Sequence, residues 1–183
     1  MATSGTGWYE LFMPANQKSI EIERDESPLV RVQGTFFRAI DPVHEQFALD
    51  GSRSAGRYSP PDVRTLYLSS SPEGVAAAMI AHLDDRVTAL EVLEFHVSAD
   101  RIADLRDAEA MAALGVDSEE AFGDWQADLA AGRNPKSWVV REALENAGAA
   151  GLIDPSRKRP GLWHLTLFSW NTEGAAHVQP TSS

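Results

Sequence analysis

An arginine interrupts one of the most apolar segments of this 183-residue chain. Arg38 lies inside the run FFRAI at residues 36–40, between aromatic and aliphatic neighbours. A strand-borne arginine either extends along the surface to reach solvent or points into a cleft. In a cleft its planar guanidinium group binds a phosphate or pyrophosphate through two parallel hydrogen bonds. Arg38 is therefore a candidate phosphate ligand.

Two further polar groups lie beside apolar strands. Arg57 and Tyr58 occupy a Gly- and Pro-rich turn, GRYSPP, that leads toward Tyr67 in the segment TLYLS. The two tyrosines and the arginine either stack on a planar ring or pack at the edge of the sheet. Ser156 follows the apolar segment GLI in a basic hairpin, DPSRKRPG, which on its own is a turn.

Several kinds of chemistry are excluded by residues that the sequence lacks. The chain has no cysteine, so disulfides, Cys-ligated zinc, iron–sulfur clusters and a cysteine nucleophile are absent. The phosphate-loop, dinucleotide-fingerprint, zinc-protease and nucleophile-elbow motifs do not occur. The five histidines share no metal-ligand spacing, which predicts no metal site. His96 and His164 lie in predicted strands and are expected to be hydrogen-bonded structural residues.

The formal net charge of −11 argues against binding to nucleic acid. Thirteen acidic and three basic residues fall within 84–128, a stretch suited to facing a basic partner. Six basic and three acidic residues fall within 133–159. This basic stretch either receives a small anion or forms a solvated helical face. No secretory leader or apolar membrane span is visible, so we expect a cytoplasmic protein with no membrane partner.

The pattern of elements indicates a single α+β domain. Strands and helices mix without a regular βαβ rhythm, which favours a mixed sheet with flanking helices. We expect an N-terminal arm or leading element over 1–33, the domain over 34–170, and a polar, mobile tail over 171–183. The predicted strands are 35–40, 65–69, 90–97, 151–153 and 162–168, and the predicted helices are 72–83, 107–114, 118–131 and 137–147, with a short turn or helix at 99–105.

Several of these segments, taken in order, resemble the RES-domain family, which is named for an Arg, a Glu and a Ser. They are FFRA at 36–39, AGRY at 55–58, LYLSSSP at 66–72, IADLRD at 102–107, AALGV at 112–116, DW at 124–125, AAGLIDPSR at 149–157 and LTLF at 165–168. The resemblance covers about residues 34–170. Members commonly serve as bacterial toxins that are paired with an Xre-type antitoxin.

The resemblance implies a fold similar to ADP-ribosyltransferases, with NAD as substrate and no resident cofactor. Members break the nicotinamide–ribose bond and pass the ribosyl carbon to water, phosphate or a protein. By position, Arg38 would bind the pyrophosphate and Tyr67 would line or stack on the nicotinamide pocket. Ser156 would orient the dinucleotide from the strand end, and Arg57 and Tyr58 would lie near the cleft.

One departure from the family pattern concerns its glutamate. The position that should carry this acid falls at or beside Ala78, within the apolar run GVAAAMI. Glu73 lies five residues earlier, about 140° around the helix, and points elsewhere. Either another carboxylate enters the cleft, with Glu91 and Glu94 the expected donors, or the chain is a non-catalytic or altered member that binds a nucleotide or a protein partner.

Overall fold

Seven strands and five α-helices make up the described part of the chain, residues 20–79 and 90–181 of a computed structural model. The strands are β1 (Glu21–Glu23), β2 (Leu29–Ile40), β3 (Leu66–Ser69), β4 (Glu91–Asp104), β5 (Gly151–Pro155), β6 (Trp163–Leu167) and β7 (His177–Pro180). The helices are α1 (Pro72–Met79), α2 (Ala108–Ala113), α3 (Ser118–Phe122), α4 (Trp125–Ala130) and α5 (Lys136–Asn146). A 3-10 helix, Pro42–Phe47, follows β2.

The two longest strands, β2 and β4, pair antiparallel along most of their length. Their register runs from Leu29 opposite Ala103 to Ile40 opposite Glu91, with an irregularity between Val30 and Val32. β1 pairs with the other side of β2, and β7 pairs with the other side of β4. This long ladder is the base on which the remaining strands are assembled.

A second group of strands, β3–β6–β5, connects the far sides of β2 and β4. β3 joins β2 where Ser69 lies opposite Phe37, and β5 runs parallel to β4 over residues 102–104. The pairings therefore close into a ring through β2, β3, β6, β5 and β4. Side chains alternate along β3, β6 and β5, because successive residues of a strand point to opposite faces. One face contributes Leu68, Leu165 and Ile153 to the principal apolar core. The other face carries polar side chains, together with Leu152, which is buried in a second core.

The helices cover a second core beside this ring. Tyr58, Leu105, Leu144, Leu152 and Phe168 are buried together there. Three helices begin at aspartates whose side chains accept hydrogen bonds from the first-turn backbone N–H groups, namely Asp107, Asp117 and Asp124. Such caps satisfy donors that the start of a helix otherwise leaves unpaired. They also account for part of the acidic excess in this region.

Arg141 of α5 joins the helices to the turn that carries Tyr58. It is 3% exposed, and its guanidinium group lies 4.5 Å from the centre of the Phe168 ring. Its Nη1 donates to the Tyr58 carbonyl at 3.0 Å and to Thr65 Oγ1 at 2.6 Å, while Nη2 pairs with Glu145 at 3.1 Å. A buried charge is tolerated only when it is paired in this way.

The predicted α+β class, with a mixed sheet and flanking helices, is confirmed. The segment 99–105 was expected as a turn or helix, but residues 99–104 form the end of β4, where Arg101 adopts a positive φ of 59°. The predicted helix over 118–131 is two helices, because the chain turns at Gly123 and Asp124. No helix in the described residues is long and apolar enough to cross a membrane.

The structure differs from the predicted segment boundaries at both ends. β2 begins at Leu29, before the expected boundary at residue 34, because Val30 and Val32 alternate with exposed polar residues and face the core. At the other end, residues 177–180 form β7, with Val178 buried against β4, so this part of the expected tail belongs to the sheet. Residues 1–19, 80–89 and 182–183 lie outside the described residues, and with them the end of the first predicted helix.

We expect Arg141→Met to destabilise the protein by about 2–4 kcal/mol, because it leaves a buried carbonyl and a buried hydroxyl without their donor. Methionine retains most of the packing against Phe168. Urea unfolding measures the change in free energy. The matched control is Arg133→Met, which removes an exposed pair with Asp128 and should cost less than about 1 kcal/mol. Equal effects of the two substitutions would contradict the role given to Arg141.

Candidate functional site

A cavity of about 740 Å³ opens over the polar face of β3, β6 and β5. Its volume lies within the range of about 300–1,000 Å³ that is usual for small-molecule sites. All five residues that the sequence predicted for the site line it: Arg38, Arg57, Tyr58, Tyr67 and Ser156. They come from β2, the turn before β3, β3 itself and the hairpin after β5, so the fold brings together residues more than one hundred positions apart.

Arg38 and Ser156 lie on this one concave surface. Arg38 is half-buried, and its Nη1 donates to the Ala48 carbonyl at 2.8 Å, which uses one of the five guanidinium N–H groups. Burial lowers the pKa of Arg38, but the group remains charged at neutral pH. Ser156 is buried and its Oγ accepts a long hydrogen bond from the Arg159 backbone N–H at 3.3 Å. Both side chains retain polar groups that a ligand can reach.

The two tyrosines occupy different environments. Tyr67 is half-buried, and its hydroxyl lies 2.9 Å from Ser59 Oγ and accepts from the Tyr58 backbone N–H at 3.2 Å. Tyr58 is only 1% exposed, and its hydroxyl donates to the Ala121 carbonyl. Gly56 packs closely here, because a Cβ at that position would lie 2.8 Å from Tyr67 Oη. The tyrosine pair thus forms a fixed wall of the cavity.

Arg57 and Arg157 fasten the α3–α4 turn to the cavity. Nη1 of Arg57 donates to the Gly123 carbonyl at 2.9 Å, and Nη1 of Arg157 donates to the Phe122 carbonyl at 2.6 Å. Ser137 Oγ also donates to the Arg57 carbonyl. One nitrogen of each arginine therefore donates to a backbone carbonyl of the α3–α4 turn. The neighbouring residues 124–126 line the cavity on this side.

Two cavity residues were missed as functional candidates. Asp154 of β5 lies opposite His164 of β6, which lies opposite Ser69 of β3. Ser69 Oγ and His164 Nδ1 are 3.0 Å apart, so His164 is hydrogen-bonded as predicted, but it also lines the cavity. The signal was available in the sequence: Asp154 is two residues before Ser156, and alternation places both on one face.

Burial and charge set the protonation states in this polar row. Burial raises the pKa of Asp154 to about 7, although the nearby positive charge of Arg57 opposes part of that rise. Burial, with a smaller contribution from the positive charge of Arg57, lowers the pKa of His164 to about 4. At neutral pH His164 is therefore uncharged, and the Asp154 carboxyl is poised between its two forms. Such strongly shifted groups in a cavity are characteristic of functional sites.

None of the described α1 residues that line the cavity is acidic. Ala78 and Met79 line it, which is where the sequence placed the vacant acidic position. Glu91 and Glu94, expected as substitute donors, are exposed on β4 and do not line the cavity, so that expectation is wrong. Within the described residues the cavity-lining carboxyl groups belong to Asp124, which caps α4, and Asp154. No cluster of metal-ligating side chains occurs in these residues.

Comparisons with known proteins give a family match and a similar fold. The model of the RES domain matches residues 28–183. A chain in the crystal structure of the M. tuberculosis MbcT–MbcA toxin–antitoxin complex has a similar fold, with a TM-score of 0.52 and 14% sequence identity over 82% of this chain and 85% of that chain. No curated protein matches this sequence significantly.

Asp154→Asn should change how stability depends on pH. The folded protein keeps the carboxyl proton up to about pH 7, whereas the unfolded chain loses it near pH ~4. Between these pH values the folded state binds more protons than the unfolded state. The free energy of unfolding of the native protein therefore falls as pH rises. The variant therefore gains stability relative to the native protein from pH ~4 to ~7, by at most about 1.4 kcal/mol per pH unit. Urea unfolding at about pH 5 and pH 8 measures this gain.

His164→Gln is the opposite case and serves as the comparison. The folded pKa of about 4 lies below the ordinary 6.5, so the unfolded chain binds the extra proton between these values. Native stability is then lost as pH falls from about 6.5 to 4. Relative to the native protein, His164→Gln should gain stability as pH falls. If both variants changed in the same direction with pH, the assigned protonation states would be incorrect.

Proposed function

The chain belongs to the RES-domain family, and from this premise we propose that it binds NAD in the cavity and breaks the nicotinamide–ribose bond. The observation that carries the proposal is the convergence of the five predicted site residues on one cavity of about 740 Å³. A cavity of this size with a few convergent polar groups suits a dinucleotide. The ribosyl carbon would pass to water, phosphate or a protein.

The charges around the cavity support this choice of ligand. Arg38 on one wall and the exposed Arg157 and Lys158 on the hairpin provide positive charge inside a strongly acidic protein. Arg38 would bind the pyrophosphate through its remaining N–H groups, because guanidinium binds phosphate oxygens in two-point contact. Tyr67 would line the nicotinamide pocket, and Ser156 would orient the dinucleotide from the hairpin.

In a cell, this reaction would make the protein a toxin that consumes NAD in the bacterial cytoplasm. Such a toxin requires a partner that blocks the cavity until the toxin's activity is needed, and we propose an Xre-type antitoxin in this role. The similarity in fold to a chain of a toxin–antitoxin complex supports the pairing. Neither nucleic acid nor a membrane is part of the proposed function.

The second candidate function is binding without turnover. It is favoured by the apolar surface of α1, where Ala78 and Met79 occupy the position at which the family presents a glutamate. That acid would bond a ribose hydroxyl and stabilise positive charge on the ribose carbon. A missing transition-state contact of this kind costs about 10²–10³ in rate. Such a protein would still bind NAD through Arg38 and the hairpin.

NAD binding and nicotinamide release by the purified protein test the proposed function. We expect saturable binding by calorimetry and release of nicotinamide. Arg38→Gln should weaken NAD binding by roughly 10–100-fold, because it removes charge-assisted hydrogen bonds worth about 1.5–3 kcal/mol. The control is Arg31→Gln on the same strand, which removes an exposed arginine outside the cavity wall and should leave binding unchanged. Absence of NAD binding by the native protein would refute the proposal.

The two candidate functions differ in what happens when an acid is returned to α1. If the native protein binds NAD but releases nicotinamide slowly or not at all, Ala78→Glu or Met79→Glu should raise the release rate, by up to about 10²-fold. Ala76→Glu is the matched control, because Ala76 is exposed on the same helix and does not line the cavity. A gain that is equal at all three positions would show that general charge, and not the vacant position, is responsible.

A further inference from the structure

The described part of the chain contains two buried carboxyl groups with opposite environments. Asp104 at the end of β4 is fully buried and is paired with Arg106, at 2.8 Å, and with Arg24. Asp154 is 8% exposed, and within the described residues its carboxyl group forms no ion pair. Because an unpaired buried carboxyl is costly, a purely structural site would carry an apolar or amide side chain at residue 154.

Asp154 is also held firmly at the cavity. Its strand pairs with β6 over its whole length, from Gly151 opposite Leu167 to Pro155 opposite Trp163. The carboxyl group is close enough to Tyr67 to raise the pKa of that phenol, after the larger effect of burial. Asp154 lines the same cavity as Tyr67, the residue that the proposed function assigns to the nicotinamide pocket.

The neighbours of Asp154 leave its carboxyl group available to a ligand. His164, directly opposite on β6, is engaged by Ser69 through Nδ1, and at neutral pH it carries no charge that would hold the carboxylate in an ion pair. Arg57 is directed toward the Gly123 carbonyl. The carboxyl group is therefore desolvated and fixed in position. A backbone N–H and the charge of Arg57 act on it, but within the described residues no side chain is paired with it.

We propose that Asp154 supplies, from the sheet, the catalytic carboxylate that α1 lacks; this inference rests on the proposed function. In the reaction, the bond between the nicotinamide nitrogen and the ribose carbon breaks, and its electron pair leaves with nicotinamide, which becomes neutral. The positive charge passes to the ribose carbon and its ring oxygen. A water oxygen then bonds to that carbon and its proton goes to solvent. Asp154 accepts a hydrogen bond from a ribose hydroxyl and stabilises the cationic sugar.

The experiment compares nicotinamide release by the native protein and by Asp154→Asn at about pH 8, where the native carboxyl is ionised. We expect kcat to fall about 10²–10³-fold with a much smaller change in KM, because the contact matters most in the transition state. Glu94→Gln, which changes an exposed acid outside the cavity wall, should leave both constants unchanged. Thermal unfolding of each variant checks that it is folded.

A rescue experiment separates a catalytic role from a structural one. Adding Ala78→Glu to the Asp154→Asn protein returns a carboxylate from the other wall of the cavity. We expect the double variant to have a kcat at least tenfold higher than that of Asp154→Asn alone. Native-like turnover by a folded Asp154→Asn protein would overturn the inference and leave the proposed function intact. NAD binding without any nicotinamide release by the native protein would overturn both the proposed cleavage and the catalytic role of Asp154.

Discussion

Backbone hydrogen bonds between β3, β6 and β5 hold Ser69, His164 and Asp154 level with one another across three strands. A slip of one residue in β3 or β6 would turn its polar side chains into the apolar core and its leucines toward the cavity. The same strand register therefore places polar side chains at the site and apolar side chains in the core. The burial of Leu68 and Leu165 stabilises this register and therefore also fixes the positions of the site residues.

Two cations of the basic stretch 133–159 hydrogen-bond to backbone segments around the cavity. Of its six cations, Arg141 is buried beneath the Tyr58 turn, and Arg157 is bonded to carbonyl groups of the α3–α4 turn. Arg133 and Lys136 pair with acids on the surface. Four of the six cations are therefore engaged by the protein itself. Where Arg157 and Lys158 border the cavity, the same residues that brace the wall give it positive charge.

Much of the sheet was predictable because strand signals are local. The alternation in TLYLS and LWHLTLF and the apolar run before Asp154 marked β3, β6 and β5. The five predicted site residues meet at one cavity because β2, β3 and two turns converge there. The start of β2 was missed because its polar residues on one face hid the buried valines. Alternation places Asp154 on the same face as Ser156, but its burial and its neighbours depend on pairings with distant strands, which no local pattern reveals.

The small residues of α1 and the carboxyl group on β5 are parts of one arrangement. Gly74 lies so close to β3 that a Cβ there would be 3.2 Å from the Ser69 Cβ, and Ala77 is buried against the sheet. α1 therefore packs closely on the sheet, and Ala78 and Met79 line the cavity with apolar surface. A carboxyl group held by a strand is fixed by the sheet register, whereas one on a long helical side chain must be ordered at an entropic cost. A catalytic carboxyl group on β5 instead of α1 therefore leaves the cavity more open and holds the negative charge more rigidly. This arrangement requires that the neighbouring His164 stays neutral.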